Sequence, residues 1–175
     1  KKDAYWGMIN KNGEMIIEAR YVNLYDFHDG LARARTGMNW GFIDKQGNWV
    51  IEEKYYHCKD FSEGLARIRT EKLWGAIDKT GKLVIPEEFE RLEEFHNGLA
   101  RAIKDKKWGF VDKSGKFLIE DKYDGAYDFV NGYARVKLDK RWGLINTKGD
   151  VVAEIKYSRL GDLYDGLAYA STGKD

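Results

Sequence analysis

The dipeptide Trp-Gly recurs along this chain at a constant spacing of 34 residues, with no insertion between copies. The five tryptophans of these pairs are Trp6, Trp40, Trp74, Trp108 and Trp142. A fixed period of this size is typical of stacked supersecondary units, which bury their apolar faces against one another. We therefore predict a single repeat array over residues 1–175, with units at approximately 6–39, 40–73, 74–107, 108–141 and 142–175. Such an array differs from a domain built around one catalytic cleft.

Two further glycine columns and one alanine column keep the same period. Their members are Gly13, Gly47, Gly81, Gly115 and Gly149; Gly30, Gly64, Gly98, Gly132 and Gly166; and Ala32, Ala66, Ala100, Ala134 and Ala168. Three glycines in each unit argue against a pair of helices, because each glycine costs roughly 1 kcal/mol in a helix interior. A column of alanines on a strand indicates close approach by a neighbouring layer.

The apolar runs are short and rich in Ile, Val, Phe, Tyr and Trp, which is typical of strands. In the fourth unit the pattern predicts strands over 99–103, 108–112 and 116–119. Asp112 and Gly115 lie between the last two and predict a type I turn that ends in a glycine bulge. Residues 120–132 are predicted to form a longer connection. The fold class is therefore all-β, with five three-stranded units.

Five equal β units can stack as an open, solenoid-like array or close into a small five-bladed propeller. A propeller blade normally has four strands in about 40 residues, whereas these units have room for three. The last unit also drifts from the repeat pattern, as terminal repeats that cap an array do. Both observations favour the open array, and the closed propeller stays as the alternative.

Three segments of the repeat are shared with a known family. They are the Trp-Gly opening, the Asp-Lys-x-Gly turn and the Phe-x-Asp-Gly-Leu-Ala-Arg return. Together they resemble the bacterial WG-repeat family, also called KWG repeats, over the whole chain. The resemblance implies a β-rich repeat module, common in bacterial proteins and often joined to other domains, with no catalytic residues to carry over. The fifth unit departs most, with Thr147, Ala153, Leu163 and Tyr169 in place of the usual Lys, Ile, Phe and Arg.

Composition disfavours several classes of partner. The chain has 30 Lys and Arg against 29 Asp and Glu, a formal charge of +1, whereas nucleic-acid-binding proteins normally show a basic excess. No apolar run is long enough for a transmembrane helix. Residues 1–5 lead into the first repeat without a signal peptide, so the cytoplasm is slightly favoured although the compartment stays unassigned. Cys58, the one cysteine, is expected to be a core residue.

Metal binding and catalysis are not expected. His28 and His96 share a column but lie two units apart, too far to share an ion. Catalysis requires a unique convergence of groups, and a nearly perfect repeat opposes uniqueness. We therefore predict a chain that is not an enzyme, with no cofactor and no metal.

An arginine column has two interpretations. Its members are Arg33, Arg67, Arg101 and Arg135. They can form a ladder that binds carboxylate or phosphate groups of a partner, since guanidinium groups match such anions. They can also form ion pairs with the recurring acids Asp26, Asp60, Glu94, Asp128 and Asp162. The near-neutral charge favours ion pairs.

Aromatic residues fall into two groups. The Trp-Gly tryptophans are predicted to be structural, because each lies in a strand beside apolar columns. The column of Met15, Trp49, Leu83, Phe117 and Val151 is likewise expected in the core. Exposed aromatic side chains are expected in the variable columns, at Tyr25, Tyr56, Tyr127 and Tyr164.

These features predict a non-catalytic module whose extended surface binds a protein partner and so acts as a scaffold. The arginine column and the four variable-column tyrosines are the predicted anchors. A carbohydrate- or cell-envelope-binding module that uses exposed aromatic rings is the alternative. A purely structural spacer is a third possibility.

Overall fold

The computed structural model describes residues 4–173, and all secondary structure in this part of the chain is β. The chain divides into two compact units between Glu88 and Phe89. The described residues form six antiparallel sheets. The all-β prediction, with repeated sheet units, is confirmed.

The first sheet along the chain has two strands, and the next two sheets have four strands each. Their strands are β1 (Trp6–Ile9) and β2 (Met15–Tyr21); β3 (Asn23–His28), β4 (Leu31–Arg35), β5 (Trp40–Ile43) and β6 (Trp49–Tyr55); and β7 (His57–Ser62), β8 (Leu65–Arg69), β9 (Trp74–Asp78) and β10 (Leu83–Phe89). Within each sheet, strands that are consecutive in sequence are neighbours.

Two more four-stranded sheets and a final two-stranded sheet follow in the same simple order. Their strands are β11 (Arg91–Leu92), β12 (Ala100–Lys104), β13 (Lys107–Val111) and β14 (Phe117–Tyr123); β15 (Gly125–Ala126), β16 (Tyr133–Leu138), β17 (Arg141–Asn146) and β18 (Val151–Tyr157); and β19 (Arg159–Leu160) and β20 (Ala170–Ser171). A complete sheet thus begins late in one sequence repeat and ends in the next.

Each complete sheet has four strands, one more than the three predicted for each unit. The additional strand comes from the segment that the sequence indicated as a connection. In β7, for example, Cys58 pairs with Ile68 and Phe61 pairs with Ala66. A β-bulge between these pairs interrupts the apolar alternation that would have identified the strand. Because a propeller blade also has four strands, strand number does not favour the open array over the closed ring.

The glycine of each Trp-Gly pair lies where the last strand of a sheet bulges over the strand before it. Trp40 pairs with Tyr55 and Phe42 pairs with Ile51, so β6 contains two more residues than β5 between these pairs. A Cβ atom at Gly41 would lie 2.4 Å from the carbonyl oxygen of Ile51. The same close approach occurs at Gly7, Gly75, Gly109 and Gly143. The bulge therefore requires glycine, a reason that the repeat pattern alone did not provide.

The predicted turn at Asp112 is confirmed. The N–H of Gly115 donates to the carbonyl oxygen of Asp112 at 2.9 Å, and Gly115 has a φ of 85°. The Asp112 carboxylate accepts from the N–H groups of Ser114 and Lys116. In the equivalent turn at Asp78, hydrogen bonds from the Thr80 hydroxyl and from backbone N–H groups lower the pKa of the carboxyl group. The aspartate column therefore serves turn formation.

The apolar cores lie between sheets that are neighbours in sequence. One core contains Ile17 and Tyr21 from β2 with Ala32, Ala34 and Ile43 of the following sheet. Two further cores repeat this arrangement, at β3–β6 with β7–β10 and at β11–β14 with β15–β18. Four alanines of the repeated alanine column lie on the second strands of the sheets and are almost completely buried. They are Ala32, Ala66, Ala100 and Ala134. Their small size permits the close approach of the neighbouring sheet.

Candidate functional site

The arginine column joins neighbouring sheets. The distance from the guanidinium Nε to a carboxylate Oδ1 is 2.7 Å for Arg33 and Asp60, 2.6 Å for Arg101 and Asp128, and 2.7 Å for Arg135 and Asp162. Each arginine lies on the second strand of its sheet. Its aspartate lies in or shortly after the first strand of the next sheet along the chain. These three contacts agree with the ion-pair interpretation.

The same guanidinium groups also bind backbone oxygens. Nη1 of Arg101 donates to the carbonyl oxygen of Ala126 at 2.7 Å, and Nη1 of Arg135 donates to that of Leu160 at 2.9 Å. The three arginine side chains of these ion pairs are only 16–19% exposed. Arg67 occupies the equivalent position in β8. Because their donors face the protein, the three paired arginines are poorly placed to bind an external anion.

Two of the predicted tyrosines form part of this arrangement. The guanidinium carbon lies 3.7 Å from the ring centre of Tyr25 for Arg33, and 3.9 Å from that of Tyr127 for Arg135. Tyr25 is 41% exposed and Tyr127 is 46% exposed. One ring face of each tyrosine is therefore covered by a guanidinium group, while other parts of the side chain reach solvent.

The last repeat exchanges these roles. Tyr169 stands where the other repeats have arginine, and Gly161 stands where Tyr25 and Tyr127 stand. A Cβ atom at Gly161 would lie 2.3 Å from Cε1 of Tyr169. The tyrosine ring therefore occupies space that only glycine leaves open, and the two substitutions compensate for each other.

The other two predicted tyrosines are also exposed. Tyr56 is 56% exposed, beside the first residue of β7, and Tyr164 is 60% exposed in the tight connection that pairs it with Leu167. Among the tryptophans, Trp40 is buried and Trp74, Trp108 and Trp142 are half-buried, which fits a structural role. Trp6, in the two-stranded first sheet, is 57% exposed.

Cys58 lies in the core and is 2% exposed. Burial raises the pKa of its thiol to about 12, so the reactive thiolate is disfavoured at neutral pH. Within residues 4–173 there is no group of three or more His, Cys, Asp or Glu residues that could hold a metal ion. The same residues contain no helix capable of spanning a membrane.

A column of aliphatic residues is exposed on the last strand of each sheet from the first to the fifth, which is β2 in the two-stranded first sheet and the fourth strand in the others. Ile16, Val50, Leu118 and Val152 are between 44% and 54% exposed, and Val84 is half-buried. Each precedes the strand residue that faces the core, such as Ile51 in β6 and Ile119 in β14. The column one residue earlier in the sequence, from Met15 to Val151, was predicted to lie in the core. Three of its members, Met15, Leu83 and Val151, are instead about half exposed. Only Trp49 and Phe117 of that column are half-buried, through edge contacts with Tyr21 and Phe89.

The sequence analysis missed this exposed aliphatic column because the strand is apolar throughout. In Phe117-Leu118-Ile119, for example, hydrophobicity alone gives no indication of which face meets solvent. Strand alternation assigns neighbouring residues to opposite faces, and the polar residues after Ile119 indicate that this strand is not buried on both faces.

A groove opens at the end of two neighbouring sheets, where β4 ends and where β5 and β7 begin. It has a volume of about 500 Å³ and is lined by Val22, Arg35, Met38, Trp40, Tyr56 and His57. A second groove, of about 310 Å³, is lined by Tyr127, Arg135, Trp142, Arg159, Leu160 and Tyr169. Trp142 and Arg159 hold the repeat positions of Trp40 and His57. The two grooves therefore share these two repeat positions, and their other lining residues come from different positions.

Solved structures with a similar arrangement of strands have very different sequences. The crystal structure of a eukaryotic initiation factor matches with a TM-score of 0.50 and 11% identity, over 86% of this chain and 49% of that chain. The crystal structure of BamB from Moraxella catarrhalis matches with a TM-score of 0.43 and 10% identity, over 90% of this chain and 57% of that chain. The present chain thus spans about half the length of these two proteins. No curated protein sequence matches the chain.

A family model describes the sequence almost from end to end. The model of the WG containing repeat matches residues 6–37, 40–74, 74–108, 108–142 and 142–174. Each of these five matches begins at the tryptophan of a Trp-Gly pair, so they reproduce the spacing of the pairs. The chain therefore belongs to the WG-repeat family.

Proposed function

We propose that this chain is a non-catalytic repeat module that binds a protein partner through aliphatic residues exposed on the last strands of its sheets. The observation that carries the proposal is the exposed aliphatic column of Ile16, Val50, Leu118 and Val152. An isolated exposed aliphatic residue requires no explanation, but here exposed aliphatic residues recur at the same position of four sheets. Repeat arrays bind through surfaces to which each unit adds a similar strip.

The exposed groups favour a protein over a carbohydrate. Aliphatic side chains match the apolar side chains of a protein surface, whereas sugars stack on open faces of aromatic rings. One face of Tyr25 and of Tyr127 is already covered by a guanidinium group. A purely structural spacer has no use for exposed aliphatic residues, which reduce solubility.

The absence of catalysis is part of the proposal, and the roles of the recurring charged groups support it. Asp44, Asp78 and Asp112 accept hydrogen bonds that form turns. Asp60 and Asp128 pair with arginines between sheets. These carboxylates are thus engaged in the fold, and catalysis requires groups arranged around a substrate.

The test is affinity capture with a variant of the aliphatic column. The combined variant Val50→Ser, Leu118→Ser and Val152→Ser is compared with the original chain as bait in lysate of the source organism, after confirmation of equal folding by circular dichroism. A matched control replaces two exposed leucines outside the column, Leu73→Ser and Leu167→Ser. Any captured protein is then purified and titrated against each bait.

We expect the column variant to weaken binding of the purified partner at least tenfold, since each buried aliphatic side chain contributes about 1.5–3 kcal/mol, while the control binds as the original does. Equal binding by both variants would contradict the proposal. Quenching of tryptophan fluorescence by soluble neutral glycans, without any protein partner, would support the carbohydrate alternative instead.

A further inference from the structure

The Trp40 groove, lined by Val22, Arg35, Met38, Trp40, Tyr56 and His57, combines exposed apolar groups with positive charge. Met38 is 86% exposed and Tyr56 is 56% exposed, whereas Trp40 is buried and forms the base. A volume of about 500 Å³ is within the range of ligand sites and is open along one side. Its size and shape suit a few side chains of an extended segment.

Arginine side chains are held in fixed positions around this groove. The guanidinium carbon of Arg35 lies 4.7 Å from the ring centre of Trp40, and its Nε donates to Oδ1 of Asn23 at 2.7 Å. The guanidinium carbon of Arg69 lies 5.1 Å from the ring centre of Trp74. Because stacking on tryptophan orders these groups before binding, less conformational entropy is lost when they bind an anion.

The surroundings of His57 report the same positive field. Burial, followed by the charges of Arg69, Lys59 and Arg35, lowers the pKa of its imidazole. None of the described residues that line the groove is acidic. Both carboxylate oxygens of nearby Glu53 accept hydrogen bonds from Thr36, whose hydroxyl binds Oε2 at 2.7 Å. Glu53 also accepts from the N–H of Gly37, which lines the groove, so one negative charge lies beside it. The charges that act on His57 are nevertheless all positive, from Arg69, Lys59 and Arg35, so the groove has an excess of positive charge beside apolar surface.

The groove at Trp142 repeats this chemistry. The exposed Arg159 lines it together with Tyr127 and Tyr169, and no described residue of its lining is acidic. Arg135 also lines it, but its guanidinium group is already paired with Asp162. Lys137 lies with its Nζ 5.5 Å from the ring centre of Trp142, much as Arg35 lies over Trp40. The same combination of a tryptophan base, cations and an exposed aromatic residue thus occurs twice.

We propose that the Trp40 groove binds an extended acidic segment of a protein, with an apolar side chain against Met38 and Tyr56 and a carboxylate at Arg35. The inference rests on the proposed function, since it names the chemistry of a segment of the protein partner. Charge complementarity selects an acidic segment. The exposed methionine and tyrosine select apolar side chains between its acidic residues, which a polyanion without apolar groups lacks.

The test measures binding of a short fluorescein-labelled peptide in which glutamates flank a pair of leucines. Fluorescence anisotropy is recorded for the full chain at low and at moderate salt. One control peptide has glutamines for the glutamates, another has serines for the leucines, and a heparin oligosaccharide is the polyanion control. The variants are Arg35→Gln and Met38→Ser, and Lys122→Gln removes an exposed cation of another sheet.

We expect saturable binding of the acidic peptide that weakens with salt and drops at least about tenfold for each control peptide. Arg35→Gln and Met38→Ser each weaken binding at least about fivefold, and Lys122→Gln leaves it unchanged. Met38 is so exposed that its substitution leaves the fold intact, which separates lost binding from unfolding. Because these variants leave the groove at Trp142 intact, the weak binding of the peptide that remains in them is attributed to that second groove.

Three results would overturn the assignment of an acidic segment. They are equal binding of the glutamine peptide, binding of the acidic peptide that no groove variant changes, and a heparin oligosaccharide that binds as tightly without needing Met38. Failure of this inference can be distinguished from failure of the proposed function. If the purified natural partner needs the aliphatic column but binds Arg35→Gln and Met38→Ser normally, the module still binds protein while this inference is wrong.

Discussion

At the scale of single residues, the glycine of each Trp-Gly pair is the position least able to accept a side chain. At Gly41 a Cβ atom would lie 2.4 Å from the Ile51 oxygen and 2.9 Å from the Glu52 carbonyl carbon, all in backbone that cannot move without opening the bulge. We expect Gly41→Ala to lower the free energy of unfolding by about 2 kcal/mol or more, measured by urea denaturation.

Gly37 provides the matched control for this substitution. A Cβ atom there would have no atom within 4 Å, and Gly37 is not among the residues with positive φ. Gly37→Ala is therefore expected to change the free energy of unfolding by less than about 0.5 kcal/mol. Equal effects of the two substitutions would mean that the loss of glycine, and not the crowding, determines stability.

The interaction of Arg135 with Asp162 gives a second prediction at this scale. Arg135→Lys keeps the positive charge but removes the planar group that reaches both Asp162 and the Leu160 carbonyl. We expect a loss of about 1–2 kcal/mol in the free energy of unfolding, because the pair is only 16% and 26% exposed.

The exposed pair of Lys156 and Glu154 is the comparison for Arg135. Its side chains are 56% and 77% exposed, so Lys156→Gln is expected to leave the urea midpoint unchanged. If Arg135→Lys also left the midpoint unchanged, charge alone would suffice between these sheets, and the carbonyl contact would contribute nothing measurable.

At the scale of strands and turns, the chain uses two kinds of connection between the second and third strands. In the later sheets a two-residue turn is formed by Asp105 and Lys106, with φ of 48° and 64°, and by Asp139 and Lys140. Positive φ at both positions is the signature of a type I′ turn, which favours Asn-Gly. In the earlier sheets the connection is a longer loop, which is held by a hydrogen bond from a threonine to a glutamate of the fourth strand. The pairs are Thr36 with Glu53 and Thr70 with Glu87.

The strained two-residue turn gives a prediction of increased stability. Replacing Asp105 with Asn and Lys106 with Gly is expected to raise the free energy of unfolding by about 0.5–1 kcal/mol, since both residues occupy the left-handed region. Lys45→Gly is the control, because Lys45 lies in a type I turn and is not among the residues with positive φ. The control is expected to lower the urea midpoint, and a rise in both would contradict the explanation.

Many of the strands and turns could be predicted from the sequence. The turn at Asp112 and the strands through Trp108 and Phe117 follow from local residue chemistry. The additional strand, such as β7 at His57–Ser62, could not be identified because its pairing contains a bulge that interrupts the apolar alternation. The exposure of Leu118 does not follow from the apolar run itself, although the polar residues after Ile119 indicate that one face of this strand meets solvent. The grooves depend on packing between sheets, so their lining residues could not be grouped from spacing alone.

At the scale of the whole molecule, the sequence period and the sheets are out of phase. The sheet of Asn23–Tyr55 takes its first two strands from one repeat and its last two from the next. Adjacent repeats therefore share a sheet, in addition to the core and the ion pairs between sheets. A deletion therefore preserves complete sheets only when the two ends that are rejoined have the same repeat position.

Deletion in phase and out of phase should consequently have opposite effects. Removing residues 108–141 joins Lys107 to Trp142, as the repeat does one period earlier with Trp108, so each remaining sheet keeps its full number of strands. In an open array we expect this variant to retain β-type circular dichroism and cooperative unfolding at a lower urea midpoint, because stability sums over units and their interfaces. Removing residues 108–124 deletes β13 and β14 from their sheet and should abolish cooperative unfolding. Loss of folding in both variants would instead indicate that the array requires a fixed number of units, as a closed ring does.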